Sequence, residues 1–494
     1  MKRDQRRTPM LEGIENYRRA PTMPFAVPAH KTGRGAAPIQ EEVVGRDVFE
    51  ADIAIEGGID DLRGSHGYQS EAQTLAAEAW GAEEAYFSTN GSSLSIQTCI
   101  LSLGSPGDEL IAVRNAHKSA VAGMILSGHR PIFPPGSFDD ELEIEHPPTP
   151  QAIEQTLKKH PKATAVVIVS PSYYGVAGDV EGIARVCHER DVPLIVDEAW
   201  GAHLPFHDEL PTHAMAAGAD LAVASMHKSI AGLMESSIVM YQGKLIDRPR
   251  LSMTFELLES TSISSLITSL MDGARRQMAL EGRALLDEAL KLARQARQRL
   301  RDEGFDVIGT EVVGRTGAVA YDETKLVIDV RGLGITGYEA WDWLAEQKHV
   351  TFELADHRRL LGVVTIGDDQ ESIDRLVDAL KSLRDWTRRD YPNRTMHIPR
   401  LSAMRSALVT TPRNAYFAEF DEIPLAQAAG RVSAEMISPY PPGIPAIIPG
   451  QRFNQAIIDY LKAGMEHGMS IPDSSDPSLQ NVRVVRKAER RRGG

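Results

Sequence analysis

Between residues 85 and 225 the chain alternates short apolar runs with segments of helical length, and nothing else in the sequence constrains the fold as strongly. The runs fall at 85–88, 109–113, 164–169, 192–196 and 220–225. They are mostly apolar throughout, with no polar residue at every second place, as strands covered on both faces are. Segments of helical pattern precede and separate them, at 70–81, 91–103, 119–127, 151–160 and 180–190. A further short strand is expected at 131–134, and the acidic stretch 137–150 reads as loop. Strand and helix taking turns in this way give a mainly parallel α/β sheet with helices on both faces.

Open sheets of this class bind ligands at the carboxyl ends of their strands. Two of those ends carry chemistry. Val192-Pro193-Leu194-Ile195-Val196 runs into Asp197, and Leu221-Ala222-Val223-Ala224 runs into Ser225-Met226-His227-Lys228. Taken alone, an acid closing a strand also serves as a helix cap, and a lysine after a strand is ordinarily a solvated loop charge. Together, an acid on one strand end and a Ser-x-His-Lys on the next fit a pyridoxal phosphate (PLP) site. There the lysine forms a Schiff base and the acid keeps the pyridine nitrogen protonated. A third end, Thr89-Asn90-Gly91-Ser92-Ser93, opens a helix after the first strand. Free backbone N–H groups and the helix dipole make such a turn a phosphate seat, although Asn-Gly-Ser makes a plain capped turn equally well.

The flanking residues add a resemblance. Asp197-Glu198-Ala199-Trp200-Gly201-Ala202-His203, Ser225-Met226-His227-Lys228, Arg114-Asn115-Ala116-His117-Lys118-Ser119, Pro171-Ser172-Tyr173-Tyr174-Gly175 and Tyr440-Pro441-Pro442-Gly443-Ile444-Pro445 resemble elements of the Orn/Lys/Arg decarboxylase family over roughly residues 8–465. The resemblance implies a PLP-dependent large domain of the aspartate aminotransferase type (fold type I), a small α/β domain and a C-terminal domain. It implies the short form, similar to biosynthetic arginine or lysine decarboxylases of bacteria, with no preceding receiver-like domain. Four segments follow: an N-terminal arm at 1–68, the large domain at 69–273, a linking helix (from 274 to 303) and small domain at 274–388, and a C-terminal domain with a basic tail at 389–494.

The implied activity is decarboxylation of a basic L-amino acid, with arginine ahead of lysine and ornithine. Lys228 would carry PLP, Asp197 would face the ring nitrogen, and His117 would stack on the ring. Ala199 and Trp200 would line the cofactor, and Lys228 or His227 would return the proton to Cα. Ser92, Ser93 and Ser225 would hold the phosphate, joined by Thr261 or Ser262 from a second subunit. The assembly implied is a homodimer or a higher oligomer of dimers, with the 24–33 arm also crossing between subunits. Ile59-Asp60-Asp61-Leu62 matches a further family element. This chain departs from the family pattern at Ala29, Met226, Trp200 and Glu235, which touches the substrate more than the cofactor. Glu235, Glu353, Asp356 and Trp200 are the candidates for the substrate's side chain.

Rival readings have their own residues. Aminotransfer or aldol cleavage would use the same cofactor site. A nucleotide-dependent oxidoreductase would rest on Gly332-Leu333-Gly334-Ile335-Thr336-Gly337, which follows an apolar run at 325–330, with Glu353 at the distance of a ribose-binding acid. Thr336 and Glu339 form a capping box that explains the same turn structurally. A net charge of −14 argues against nucleic-acid partners. No apolar run reaches the ~18 residues of a membrane span. The basic N-terminus lacks the apolar stretch of a signal peptide. The two cysteines, Cys99 and Cys187, have neither metal nor redox spacing, so the expected compartment is the reducing cytoplasm. Pro205 between His203 and His207 speaks against a metal pair. The basic run at 483–492 reads as a solvated tail.

Overall fold

The computed structural model describes residues 3–55, 59–60, 67–388 and 393–487. Its main sheet is built from β1 (Glu84–Ser88), β2 (Glu109–Ala112), β3 (Arg130–Ile132), β4 (Val166–Val169), β5 (Leu194–Asp197), β6 (Leu221–Ser225) and β7 (Ser237–Tyr241), in the order β1-β7-β6-β5-β4-β2-β3. β7 alone runs against the rest, pairing antiparallel with β1 and β6. Every residue of β4, β5, β6 and β7 is buried, which is why their sequences carry no alternation. The register pairs Asp197 with Val169 and Val223. The ends of β4, β5 and β6 therefore open on one edge of the sheet.

The helix Ser265–Asp302 has 38 residues, a rod of about 57 Å. It starts well before 274 because Ser264 caps it, accepting from the Ile267 N–H. Its first half, with Met271, Met278, Leu286 and Leu290, packs in the core of the main sheet; Leu292, Ala293, Ala296 and Leu300 pack in a second core. That second core lies on β8 (Asp306–Ile308), β9 (Lys325–Asp329), β10 (Leu354–Ala355) and β11 (Arg359–Val363), ordered β8-β9-β11-β10 and antiparallel at every pairing. A third core joins the helix Gln455–Glu466 to the strand pair Phe420–Pro424 and Asn481–Val485.

Two stretches depart from the sequence reading, and a third bears it out. Residues 137–150 contain a small hairpin, Ser137–Asp139 with Ile144–His146, closed where Asp139 meets both His146 and Arg315. The start of the basic C-terminal run is a paired strand, in which Arg483 meets Glu422 and lies over Phe420; residues 488–494 lie outside the described residues. The glycine turn at 332–337 also lacks the surroundings of a dinucleotide site, because β9 has no parallel neighbour. Thr336 and Glu339 close it with the reciprocal bonds of a capping box. Ile59 packs with Ile14 and Ile53, while Asp61 and Leu62 of the same motif lie outside the described residues. Among the described residues no helix is long and apolar enough to cross a membrane.

Candidate active site

The edge of the main sheet gathers the residues singled out by the sequence. Asp197 ends β5 and is buried, 5% exposed. One carboxylate oxygen accepts from the Ala199 N–H at 3.2 Å. Burial pushes its pKa up to about 6, against the opposing pull of the Lys228 cation. Lys228 sits on a one-turn helix, Met226–Ser229, directly after β6. It is half-buried, and its Nζ lies 4.3 Å from the centre of the Trp200 ring. It makes no hydrogen bond or ion pair with any described residue. Burial holds its amine below the usual lysine range; Asp197 and Glu353 oppose that shift and Lys325 adds to it. The acid and the amine feel each other's charge without forming an ion pair.

His117 caps the helix Lys118–Ser127, accepting from the Ser119 N–H at 3.2 Å. Burial, with Lys228 and Lys118 acting in the same direction, lowers its pKa to about 4, so the ring is neutral. The Pro-Pro-Gly turn of the C-terminal region lies against it. The Lys118 N–H donates to the Gly443 carbonyl at 2.9 Å. A Cβ added at Gly443, whose φ is +85°, would stand 2.9 Å from His117 Nε2. Arg114 secures the same turn by donating to the Pro445 and Ala446 carbonyls at 2.8 and 3.1 Å.

At the start of the helix Gly91–Leu101, Ser92 Oγ lies 2.6 Å from Ser225 Oγ and 3.0 Å from Ser237 Oγ, and Ser237 Oγ lies 3.0 Å from Ser95 Oγ. Ser93 is exposed beside them. Ser95 and Ser237 escaped the sequence reading because they stand inside a helix and a strand, where a serine carries no signal. Thr261 and Ser262 are exposed and reach none of these serines within one chain. Their neighbour Glu259 accepts from Thr89 Oγ1 at 3.2 Å, which places the segment beside the same turn.

His227 has Nδ1 3.1 Å from the Ser236 carbonyl oxygen. Burial lowers its pKa, so Nδ1–H donates and Nε2 is left as an acceptor. Ala199 is half-buried and its carbonyl accepts from the Ser225 N–H at 3.3 Å. Trp200 is buried, and its Nε1–H has no partner among the described residues.

The candidates for the substrate's side chain separate. Asp356 is occupied by Tyr174 Oη at 2.8 Å and Arg359 Nη1 at 2.9 Å. Glu235 is exposed, and its carbonyl accepts from the Gly91 N–H at 2.8 Å, at the serine end. Glu353 is solvent-accessible yet lies in the field of Lys228 and Lys325, which oppose the upward shift that partial burial imposes on its pKa. His203 and His207 turn to different carboxylates, Asp322 at 3.1 Å and Asp287 at 2.9 Å.

These residues suit PLP. An amine without a partner faces a buried acid, a neutral imidazole stands by, and a serine chain sits at a helix start. The buried indole N–H of Trp200 meets no acceptor among the described residues, and an oxygen of a bound ligand would satisfy it.

Comparison with known proteins agrees. The sequence profile of "Orn/Lys/Arg decarboxylase, major domain" matches residues 8–372, and that of "Orn/Lys/Arg decarboxylase, C-terminal domain" matches 400–482. An arginine decarboxylase of Bacillus subtilis is 38% identical over 485 residues, 98% of this chain and 99% of that one. An arginine decarboxylase of Halalkalibacterium halodurans is 36% identical over 489 residues, again 98% and 99%. The solved lysine decarboxylase A of Pseudomonas aeruginosa superposes with a TM-score of 0.82 at 21% identity, over 97% of this chain and 81% of that one.

Proposed function

This chain belongs to the Orn/Lys/Arg decarboxylase family, and on that premise we propose how its residues divide the decarboxylation of a basic L-amino acid. The chain is a PLP-dependent decarboxylase of fold type I. Arginine is the first candidate substrate, as in the relatives named above. The observation that carries the assignment of roles is the half-buried, unpartnered amine of Lys228 held apart from the buried carboxylate of Asp197.

When bound, PLP supplies an electron sink conjugated to the substrate's Cα. The chain's own residues do the rest. Lys228 anchors the cofactor. Asp197 would hold a proton on the cofactor's ring nitrogen. His117, neutral and fixed by Ser119 and the Gly443 turn, would stack on its ring. Ser92, Ser93 and Ser225 hold the phosphate, with Ser237 and Ser95 orienting their hydroxyls. Ala199 and Trp200 form the wall, the Trp200 N–H donating to a cofactor or substrate oxygen. Lys228 Nζ returns the proton to Cα; His227 is the poorer donor, since its only ring N–H is committed to Ser236. Glu353 receives the cationic end of the substrate.

The segments 1–68, 69–273, 274–388 and 389–494 act as arm, large, small and C-terminal domains, a division supported by the gap between the two profile matches and by the separate cores. Activity requires a two-fold dimer in which Thr261 or Ser262 completes the partner's phosphate site. Exposure of Thr261, Ser262 and the arm residues Met23, Phe25 and Val27 supports this reading. The enzyme works in the cytoplasm, in keeping with its two free cysteines.

One experiment tests the whole. Purified protein with PLP is given L-arginine, L-lysine and L-ornithine separately, and CO2 and the amine formed are measured. Agmatine as the dominant product is expected; no CO2 from any of the three would overturn the reading.

A further inference from the structure

Close to Lys228 stands a second lysine that the chemistry above does not use. Lys325, the first residue of β9, is fully buried at 0% exposure, as is Asp322 before it. Its Nζ donates to Asp322 Oδ2 at 2.7 Å and lies 5.6 Å from the centre of the Trp200 ring. Lys228 Nζ lies over the same ring at 4.3 Å. One indole therefore serves both ammonium groups, one from each lobe of the enzyme.

Asp322 is bound on all sides. Thr324 donates to Oδ1 through its backbone N–H at 3.0 Å and its hydroxyl at 2.6 Å. His203 Nε2 lies 3.1 Å from Oδ2. His203 is three residues after Trp200 on the same loop, so the acid grips the loop that carries the indole. The loop is pinned at two further points: the Ala199 N–H donates to Asp197, and the Ala202 carbonyl accepts from Trp80 Nε1 at 3.0 Å. Asp197, Trp200 and the His203–Asp322–Lys325 cluster thus form one connected wall. A buried ion pair contributes little net stability compared with an apolar pair of the same shape. Its effect on its surroundings is directional, because a fixed cation beside an aromatic face orients that face.

We propose that Lys325, held by Asp322 and Thr324, is a positioning residue that fixes the Trp200 indole and sets the electrostatic surroundings of Lys228. The inference rests on the decarboxylase reading for what Lys228 does, but not for how Lys325 acts on it. The charged and titratable groups that interact with Lys228 are Asp197 at the end of β5, Glu353 before β10, His117 at its helix start, His227 beside it in the chain, and Lys325 itself. Of these Lys325 is a cation with no access to solvent. Removing it takes away repulsion at Lys228 and loosens the indole; arginine in its place retains both the charge and the ion pair.

The test uses the full chain in two states. In the cofactor-free protein, Lys228 is labelled with trinitrobenzenesulfonate across pH and its modification followed by peptide mass spectrometry. In the PLP-loaded enzyme, kcat and KM are measured with the preferred amino acid. The variants are Lys325→Met, the charge-neutral double variant Asp322→Asn/Lys325→Met in case the single one does not fold, and Lys325→Arg. Expected are a labelling midpoint moved to higher pH in the Met variants, a kcat lowered at least about tenfold with KM little changed, and recovery of both in Lys325→Arg. A folded Met variant that labels and turns over like the wild type would overturn the proposal. So would a lower kcat with an unmoved labelling midpoint that arginine does not rescue. If the wild type released no CO2 at all, the decarboxylase reading would fail, and the labelling comparison would still judge Lys325.

Discussion

The enzyme holds two buried aspartates near lysines, and they could hardly differ more. Asp322 touches Lys325 at 2.7 Å and is bonded by His203 and Thr324 as well. Those partners outweigh burial and drive its pKa far below the usual carboxylate range. Asp197 faces Lys228 without meeting it, and its pKa rises to about 6. A pair that satisfies itself has nothing left to offer a ligand. A pair held apart carries unspent interaction, and perturbed groups of that kind mark functional sites. The contrast also shows that a buried acid near a lysine is no signal until the separation is known.

The sharpest test of the contrast is Lys228→Ala. It should abolish CO2 release and the yellow absorbance of bound PLP, while circular dichroism and melting stay close to wild type. Absorbance that persists, with borohydride fixing the cofactor to another lysine, would break the assignment. Next in size, Asp197→Asn should keep PLP but lose several kcal/mol of rate, about two to three orders of magnitude in kcat, since an amide cannot stabilise the pyridinium charge. A nearly normal kcat would remove Asp197 from its role.

The other pair should behave in the opposite sense. Asp322→Asn leaves Lys325 buried without its counter-ion, and breaking a buried pair from one side typically costs about 3–5 kcal/mol of stability. Urea unfolding of the cofactor-free protein would measure it; a loss well under 1 kcal/mol would mean that Lys325 reaches solvent or another acid.

The smallest effect is the most specific, and it turns on sign. The carboxyl of Asp197 titrates higher folded than unfolded, so its protonated form is favoured in the fold. Its contribution is full below the unfolded pKa of about 4 and is lost as pH rises through about 6. The cofactor-free wild type should therefore gain up to about 2–3 kcal/mol, relative to Asp197→Asn, as pH falls from 7 towards 4. Asp322, with a depressed pKa, contributes stability that is present above the unfolded value and lost only as pH falls below about 4. Stability curves of Asp197→Asn and wild type that stay parallel over that range would contradict the raised pKa.

Much of this was legible beforehand. Most strands of the main sheet could be read within a residue or two, because a buried parallel strand is apolar throughout and most are followed by a turn and a helix. Asp197 and Lys228 could be picked out because each stands where a strand has just ended, the place where an α/β sheet puts its ligands; His117 was legible only through the family resemblance of Arg114–Ser119. The hairpin at 137–146 could not, since its polar residues are hidden by Arg315, far off in the chain. Nor could Ser95 and Ser237, whose hydroxyls meet only because β1, β7 and β6 lie side by side.

Local pattern thus determined the main sheet and the residues at its edge, because hydrophobic periodicity and strand ends are properties of neighbours in the chain. Only the tertiary structure decided which charges are spent and which are free. It brought Asp322 to His203, set Glu353 before Lys228, committed Asp356 to Tyr174 and Arg359, and laid Gly443 against His117. The physical reason is that a charge's role depends on distance through a poorly screened interior, and, Asp356–Arg359 aside, those distances join residues 119 to 326 positions apart in the chain.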